Sequence, residues 1–140
     1  MEIKIAESVR CGAGRLTVEL AAVCLGRDVV IMVSGGQAHV GAVVMAVPRP
    51  SLEDPRRVSA TASVLTATGH KEDELLRPIA LRAAAALNSR VVAVGGVHLD
   101  GATGEEIARL MENCMEGTEL LLARLKERLS PVSEAETGPH

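Results

Sequence analysis

The chain has no phenylalanine, tyrosine or tryptophan in its 140 residues. Its core must therefore be built from Val, Leu, Ile, Ala and Met, and it has no aromatic side chain to stack on a nucleobase or a flavin ring. It also lacks a basic stripe. Fifteen Lys and Arg stand against 18 Asp and Glu, for a formal net charge of −3, so no nucleic-acid partner is expected. No apolar run reaches the roughly 18–20 residues that a membrane-spanning helix needs. The first five residues, Met1 to Ile5, alternate like a strand and carry no apolar stretch of a secretion signal. Cysteine is scarce: Cys11, Cys24 and Cys114 are odd in number and widely spaced, with no CxxC pair. That excludes a disulfide framework and a zinc knuckle, and fits reduced thiols in a cytoplasmic protein.

What is present is a strand-rich pattern followed by helices. Residues 2–9, about 14–25, 29–33, 39–47 and 58–67 read as five strands, from their alternation or from β-branched runs. Gly26-Arg27-Asp28 reads as a tight turn. Ser34-Gly35-Gly36-Gln37 reads as a break, and Pro48, Pro50 and Pro55 as a loop. Residues 72–87 carry a helical stripe of Leu75, Leu76, Ile79, Ala80, Ala83, Ala84 and Leu87, with Pro78 expected in the first turns or at a kink. Residues 91–94 form a short buried strand. Residues 103–129 form a long helix opened by the capping box Thr103-Gly104-Glu105-Glu106, with Ile107, Leu110, Met111, Cys114, Leu121 and Leu125 as its apolar stripe. The expectation is one α+β domain over 1–129 and a disordered tail over 130–140, with the order β-β-β-β-β-α-β-α. The sheet should be mostly antiparallel, of about six strands, with two packed helices. Strands three and four should pair as a hairpin. Strands five and six should run parallel through the helix between them.

The residues with chemistry sit at strand ends. Three histidines follow glycines in Ser34-Gly35-Gly36-Gln37-Ala38-His39, Gly69-His70-Lys71 and Gly95-Gly96-Val97-His98-Leu99-Asp100. With the strand directions above, His70 and His98 follow the carboxyl ends of parallel strands, and His39 opens a strand running the other way. All three then reach one edge of the sheet. Both helix starts would aim backbone amides at the same edge, which suits an anion such as a phosphate. Ser34-Gly35-Gly36 would add a backbone nest. Against this stand the carboxylates Glu72, Asp73, Glu74, Glu105 and Glu106. The pattern leaves alternatives open. One is a small metal-dependent or acid/base enzyme using His39, His70 and His98 with Asp100 or Glu72, although no HExxH is present. Another is that each histidine only ties its own loop. Two helices shield one face of a sheet, so the opposite face could bury itself in a homo-oligomer or a partner.

The order and spacing of Ser34-Gly35-Gly36-Gln37-Ala38-His39-Val40-Gly41-Ala42, Gly69-His70-Lys71-Glu72-Asp73 and Gly95-Gly96-Val97-His98-Leu99-Asp100, followed by Glu105-Glu106-Ile107, resemble the small subunit-D-like proteins of gallate and related hydroxyarylic-acid decarboxylases. These are described as prenylated-flavin chaperones, and the resemblance spans about residues 5–115. It is similar in class to proteasome-assembly-chaperone-like domains. The resemblance implies an accessory, non-catalytic protein that handles prenylated FMN or FMN for a UbiD-type decarboxylase. The glycine and histidine phrases would then be its cofactor-binding residues: Ser34, Gly35, Gly36, His39, Gly69, His70, Lys71, Gly95, Gly96, His98 and Asp100. Without aromatics, the flavin ring would have to rest on Met, Val or Leu.

Overall fold

The computed structural model describes residues 3–67 and 72–129. In chain order the elements are β1 (Ile3–Cys11), a 3-10 turn (Gly14–Leu16), β2 (Val18–Leu25), β3 (Asp28–Gly36), β4 (Ala42–Pro50), β5 (Val58–Thr66), α1 (Asp73–Leu87), β6 (Val91–His98) and α2 (Gly104–Leu129). This is the expected α+β order, with one mostly antiparallel sheet of six strands. The loop phrase Gly69-His70-Lys71 and the tail expected from residue 130 lie outside the described residues.

The strand order, β1-β2-β3-β6-β4-β5, overturns the expected β3–β4 hairpin and keeps β5 and β6 parallel, though not adjacent. β3 and β4 do not form a hairpin, because β6 inserts between them, parallel to β3 and antiparallel to β4. β5 runs in the same direction as β6 but lies beyond β4, at the sheet edge. The cause can be read in β6 itself. Val91-Val92-Ala93-Val94 is apolar on both faces, and such a strand gains more at the centre of a sheet than at its edge. The connection from β3 to β4 straps over the end of β6, where Gln37 N–H donates to the His98 carbonyl at 2.9 Å and Gly41 N–H to the Gly95 carbonyl at 2.9 Å.

Two local readings change with it. Ser34-Gly35-Gly36 does not break β3 but continues it, paired with Val18 and Glu19 on one side and with Gly96 to His98 on the other. Pro48 and Pro50 belong to β4 rather than to a loop. They lie past Ala46, where pairing with β6 ends, so a missing N–H there costs no ladder bond.

Both helices cover the same face. α1 packs on β4, β5 and β6, and α2 on β1 and β2. Between helices and sheet lie Val18, Leu20, Ala22, Val29, Ile31, Val33, Val44, Val91 and Ala93 from the strands, with Leu76, Ile79, Ala83, Leu121 and Leu125 from the helices. Alanines at 80, 83 and 84 let α1 approach the sheet closely, so the core closes without aromatic volume. Pro78 is the sixth residue of α1 and lies on its exposed side. The stripe of α2 holds from Leu110 to Leu125, whereas Ile107 and Met111 stay exposed. Its capping box forms as expected: Glu106 N–H donates to Thr103 Oγ1 and Thr103 N–H to Glu106 Oε1, each at 3.1 Å. Arg82 clamps Glu119 across the two helices at 2.7 and 3.2 Å.

Candidate functional site

The pairing directions fix one functional edge. β3, β5 and β6 end there, β4 begins there, and the sequence runs on from it into both helices. His39, in the loop between β3 and β4, and His98, the last residue of β6, meet edge to face with ring centroids 6.2 Å apart. Their convergence is the expected one, although it is reached through an inserted β6 rather than a β3–β4 hairpin. Gly69, His70 and Lys71 lie outside the described residues.

His39 is held at both ring nitrogens. Nδ1 faces the Gln37 carbonyl at 2.9 Å, and Nε2 faces Glu72 Oε1 at 2.6 Å. Both neighbours are acceptors, so the ring satisfies them together only when both nitrogens carry protons. The Gln37 carbonyl, and then the Glu72 carboxylate, accordingly raise the His39 pKa against a smaller opposing effect of burial. The His39 and Glu72 side chains are only 21% and 10% exposed, which limits the screening of their attraction. Two glycines make the room. A Cβ on Gly41 would stand 2.4 Å from Glu72 Cδ, and one on Gly96 would stand 2.7 Å from Glu72 Cγ and 2.9 Å from His39 Nε2. His98 Nε2 faces Asp100 Oδ1 at 3.0 Å, but Asp100 is almost fully in solvent and this contact contributes little.

The remaining candidates are placed by the strands. Gly36 has φ +66° and Gly95 φ +129°, and a Cβ on either would stand 2.0 Å from a carbonyl oxygen, of His98 and of Val33 respectively. These glycines are needed for strand packing at the site edge. Ladder pairing on both sides of Ser34-Gly35-Gly36 means that the segment is not a free nest of amides. The start of α2 is likewise taken, by its capping box and by Arg15, whose Nε lies 3.1 Å from Glu106 Oε2. Among the described residues, no group of three or more His, Cys, Asp and Glu is spaced to hold a metal ion.

Beneath the 37–40 loop the uncovered face of the sheet is hollowed. A groove of about 530 Å³ is lined chiefly by Ala21, Met32, Ala38, His39, Val40 and Val94. It adjoins a second depression of about 290 Å³ lined by Arg10, Thr17, Ser34, Gly35 and Gly36. Glu19 and Ser34 belong to both. The first volume falls within the usual range for small-molecule sites. Side by side, the two present an apolar floor and a polar end.

A family model described as the prenylated flavin chaperone LpdD-like domain matches residues 12–126. The chain belongs to that family. A prenylated-flavin chaperone is an accessory protein, in agreement with the resemblance drawn from the glycine and histidine phrases. No curated protein matches this sequence. Among solved structures, a chain from a chaperone complex for yeast 20S proteasome assembly superposes with a TM-score of 0.59 at 14% identity, covering 89% of this chain and 99% of that one. At that identity the likeness shows the fold alone.

Sequence reasoning reached His39, His98 and the glycines but not the groove floor. Met32, Val94 and Ala21 carry no motif. Their signal was the unbroken run Val29-Val30-Ile31-Met32-Val33, apolar on both faces of a strand whose second face no helix among the described residues covers. Glu72 was legible as a carboxylate at a helix start that could act beside the histidines, but not as the partner of His39. Its pairing with His39 depends on an approach that two glycines permit.

Proposed function

We propose that this protein is a non-catalytic accessory factor that binds prenylated FMN, or FMN itself, and delivers it to a UbiD-type hydroxyarylic-acid decarboxylase in the cytoplasm. The observation that carries the reading is the apolar groove adjoining a polar depression, on the edge where His39 and His98 meet. A flavin has the same two parts. Its ring would lie on Met32, Val94 and Ala21, which replace the absent aromatics with polarizable and aliphatic surface. Its phosphate would lie toward Arg10, Ser34, Gly35 and Gly36. His39 stands at the groove wall with both ring nitrogens engaged by Gln37 and Glu72, so it would meet the ligand with its ring face or C–H edge rather than with a hydrogen bond. Gly95 and Gly96 shape that wall, and His98, which faces Asp100, lies beside His39 in a smaller depression with Gln37 and Val40. Gly69, His70 and Lys71 complete the binding phrase. Arg10 is paired with Glu19, so phosphate would displace one carboxylate partner with another anion.

Titration of the purified protein with FMN and with prenylated FMN, followed by calorimetry, tests the assignment. Binding of at least one is expected, and Met32→Glu and Arg10→Ala should each weaken it by about tenfold or more, roughly 1.4 kcal/mol. Co-expression should raise the fraction of a UbiD-type decarboxylase that carries its cofactor. If neither flavin binds and the decarboxylase is loaded equally without the protein, the assignment is wrong.

A further inference from the structure

The face of the sheet opposite the helices is apolar over most of its extent. Counting across the strands in register, it presents Ala21, Val23 and Leu25 from β2, Val30 and Met32 from β3, and Val92 and Val94 from β6. β4 adds Val43, Met45 and Val47, and β5 adds Leu65. Leu25, Met32, Met45, Val47 and Leu65 are between 42% and 73% exposed. Together with Ile3, these side chains leave on the order of 700 Å² of apolar surface in water, more than the largest patch on a typical monomer.

We infer that this face is the seat of a second copy of the same chain, packed sheet against sheet. Three observations select that occupant. The first is area: two such faces together remove about 1,400 Å² from solvent, within the range of a stable specific interface. The second is charge. The ionic groups at the rim already have partners within the chain, Arg10 with Glu19 and Arg90 with Asp28, while Arg49 donates to Thr61 Oγ1. With two of these three cations paired inside the chain, the face meets its own copy with little like-charge repulsion, and offers little to steer a charged partner. The third is shape. Six strands spaced about 4.8 Å apart make a surface far wider than one helix can cover. A second sheet of the same twist covers it at the usual angle of about 30°. Such a contact is isologous and closes as a dimer. The groove beneath the 37–40 loop lies at one end of this face, so a second copy would roof it.

The face shares Ala21, Met32 and Val94 with the groove of the flavin reading, so its test uses residues that do not line the groove. Leu25→Glu/Met45→Glu places two carboxylates on side chains that are 47% and 42% exposed in the single chain, so the fold is expected to survive. Analytical ultracentrifugation of the full chain at about 10–100 μM should give a species of twice 14.6 kDa for the parent, and of 14.6 kDa for the double variant, with an unchanged far-ultraviolet circular dichroism spectrum. If the double variant misfolds, Leu65→Lys alone, at a position 73% exposed, should still raise the dissociation constant at least tenfold. A parent that stays monomeric at 100 μM overturns the inference. So does a folded double variant that still dimerises, or a monomer whose face is taken up by the decarboxylase instead.

Discussion

Replacing Glu72 with Gln tests the doubly donating state of His39 directly. Gln can still accept a hydrogen bond from His39 Nε2, but it carries no charge, so the substitution removes the ionic part of the contact and keeps its shape. Charge-assisted hydrogen bonds are about twice as strong as neutral ones, and those to charged groups contribute roughly 1.5–3 kcal/mol, so the loss at pH 6 should be about 1–2 kcal/mol. Glu72 also sits at the N-terminus of α1, and removing its charge there costs a further 0.3–1 kcal/mol or so through the helix dipole. The two contributions differ in their pH dependence. The folded pKa of His39 lies above its ordinary value of 6.5. Its stabilisation is therefore fully present below 6.5 and is lost as pH rises through the folded pKa, where the imidazolium gives up its proton. The dipole contribution stays constant while the carboxylate is ionised. Thermal melts of the parent and of Glu72→Gln at pH 6 should differ by roughly 4–10 °C, at the few degrees per kcal/mol expected for a chain of this size. Well above the folded pKa the gap should shrink to the dipole remainder of about 1–4 °C. A gap that is flat or widens with rising pH would refute the doubly donating imidazolium. So would a His39→Asn/Glu72→Gln double variant whose losses simply add.

Other substitutions test the packing that creates the site. Gly96→Ala puts a methyl against both His39 and Glu72, so it should reproduce the pH-dependent part of the Glu72→Gln loss while leaving both ionisable groups in place, as read by the same melts. Gly95→Ala meets the Val33 carbonyl at 2.0 Å in a backbone conformation that favours glycine, and should cost more than about 3 kcal/mol in urea unfolding or leave the protein insoluble. Thr103→Ala removes the cap of α2 and should lower stability by about 1 kcal/mol at every pH between 6 and 8. Asn113→Ala removes the donor that holds the Leu16 carbonyl at 2.8 Å, and should cost about 1–2 kcal/mol with no change in flavin binding, because it lies under the 3-10 turn and outside the groove.

The helices were legible because their signals are local. The stripe of α1 needs only the 3.6-residue period of Leu75, Leu76, Ile79, Ala80 and Ala83, and the start of α2 needs only Thr103 and Glu106. The strands were legible as segments for the same reason, but their neighbours were not. Whether β4 returns beside β3 is decided by β6, some fifty positions later, and nothing within Gln37 to Gly41 announces the strand that will lie beneath that loop. Pro48 and Pro50 misled in the same way: they look like loop residues until one side of β4 is known to have no partner there. The convergence of His39 and His98 could still be inferred, because it depends on strand direction. A hairpin and a β3–β4 pair split by an inserted strand both bring the end of β3 and the start of β4 to the same edge.

That insertion makes the site depend on β6. The loop from Gln37 to Gly41 rests on the His98 and Gly95 carbonyls of β6, and these hold His39 in place. In β6, Gly95 lets the backbone run against Val33, and Gly96 leaves space for Glu72 to reach His39. The same strand contributes Val94 to the groove floor and Val92 to the apolar face beside it. Edge, groove and face are thus three consequences of one central strand with long-range pairing. A substitution that loosens β6 should weaken flavin binding and self-association together, whereas changes at His39 or at Met45 should separate them.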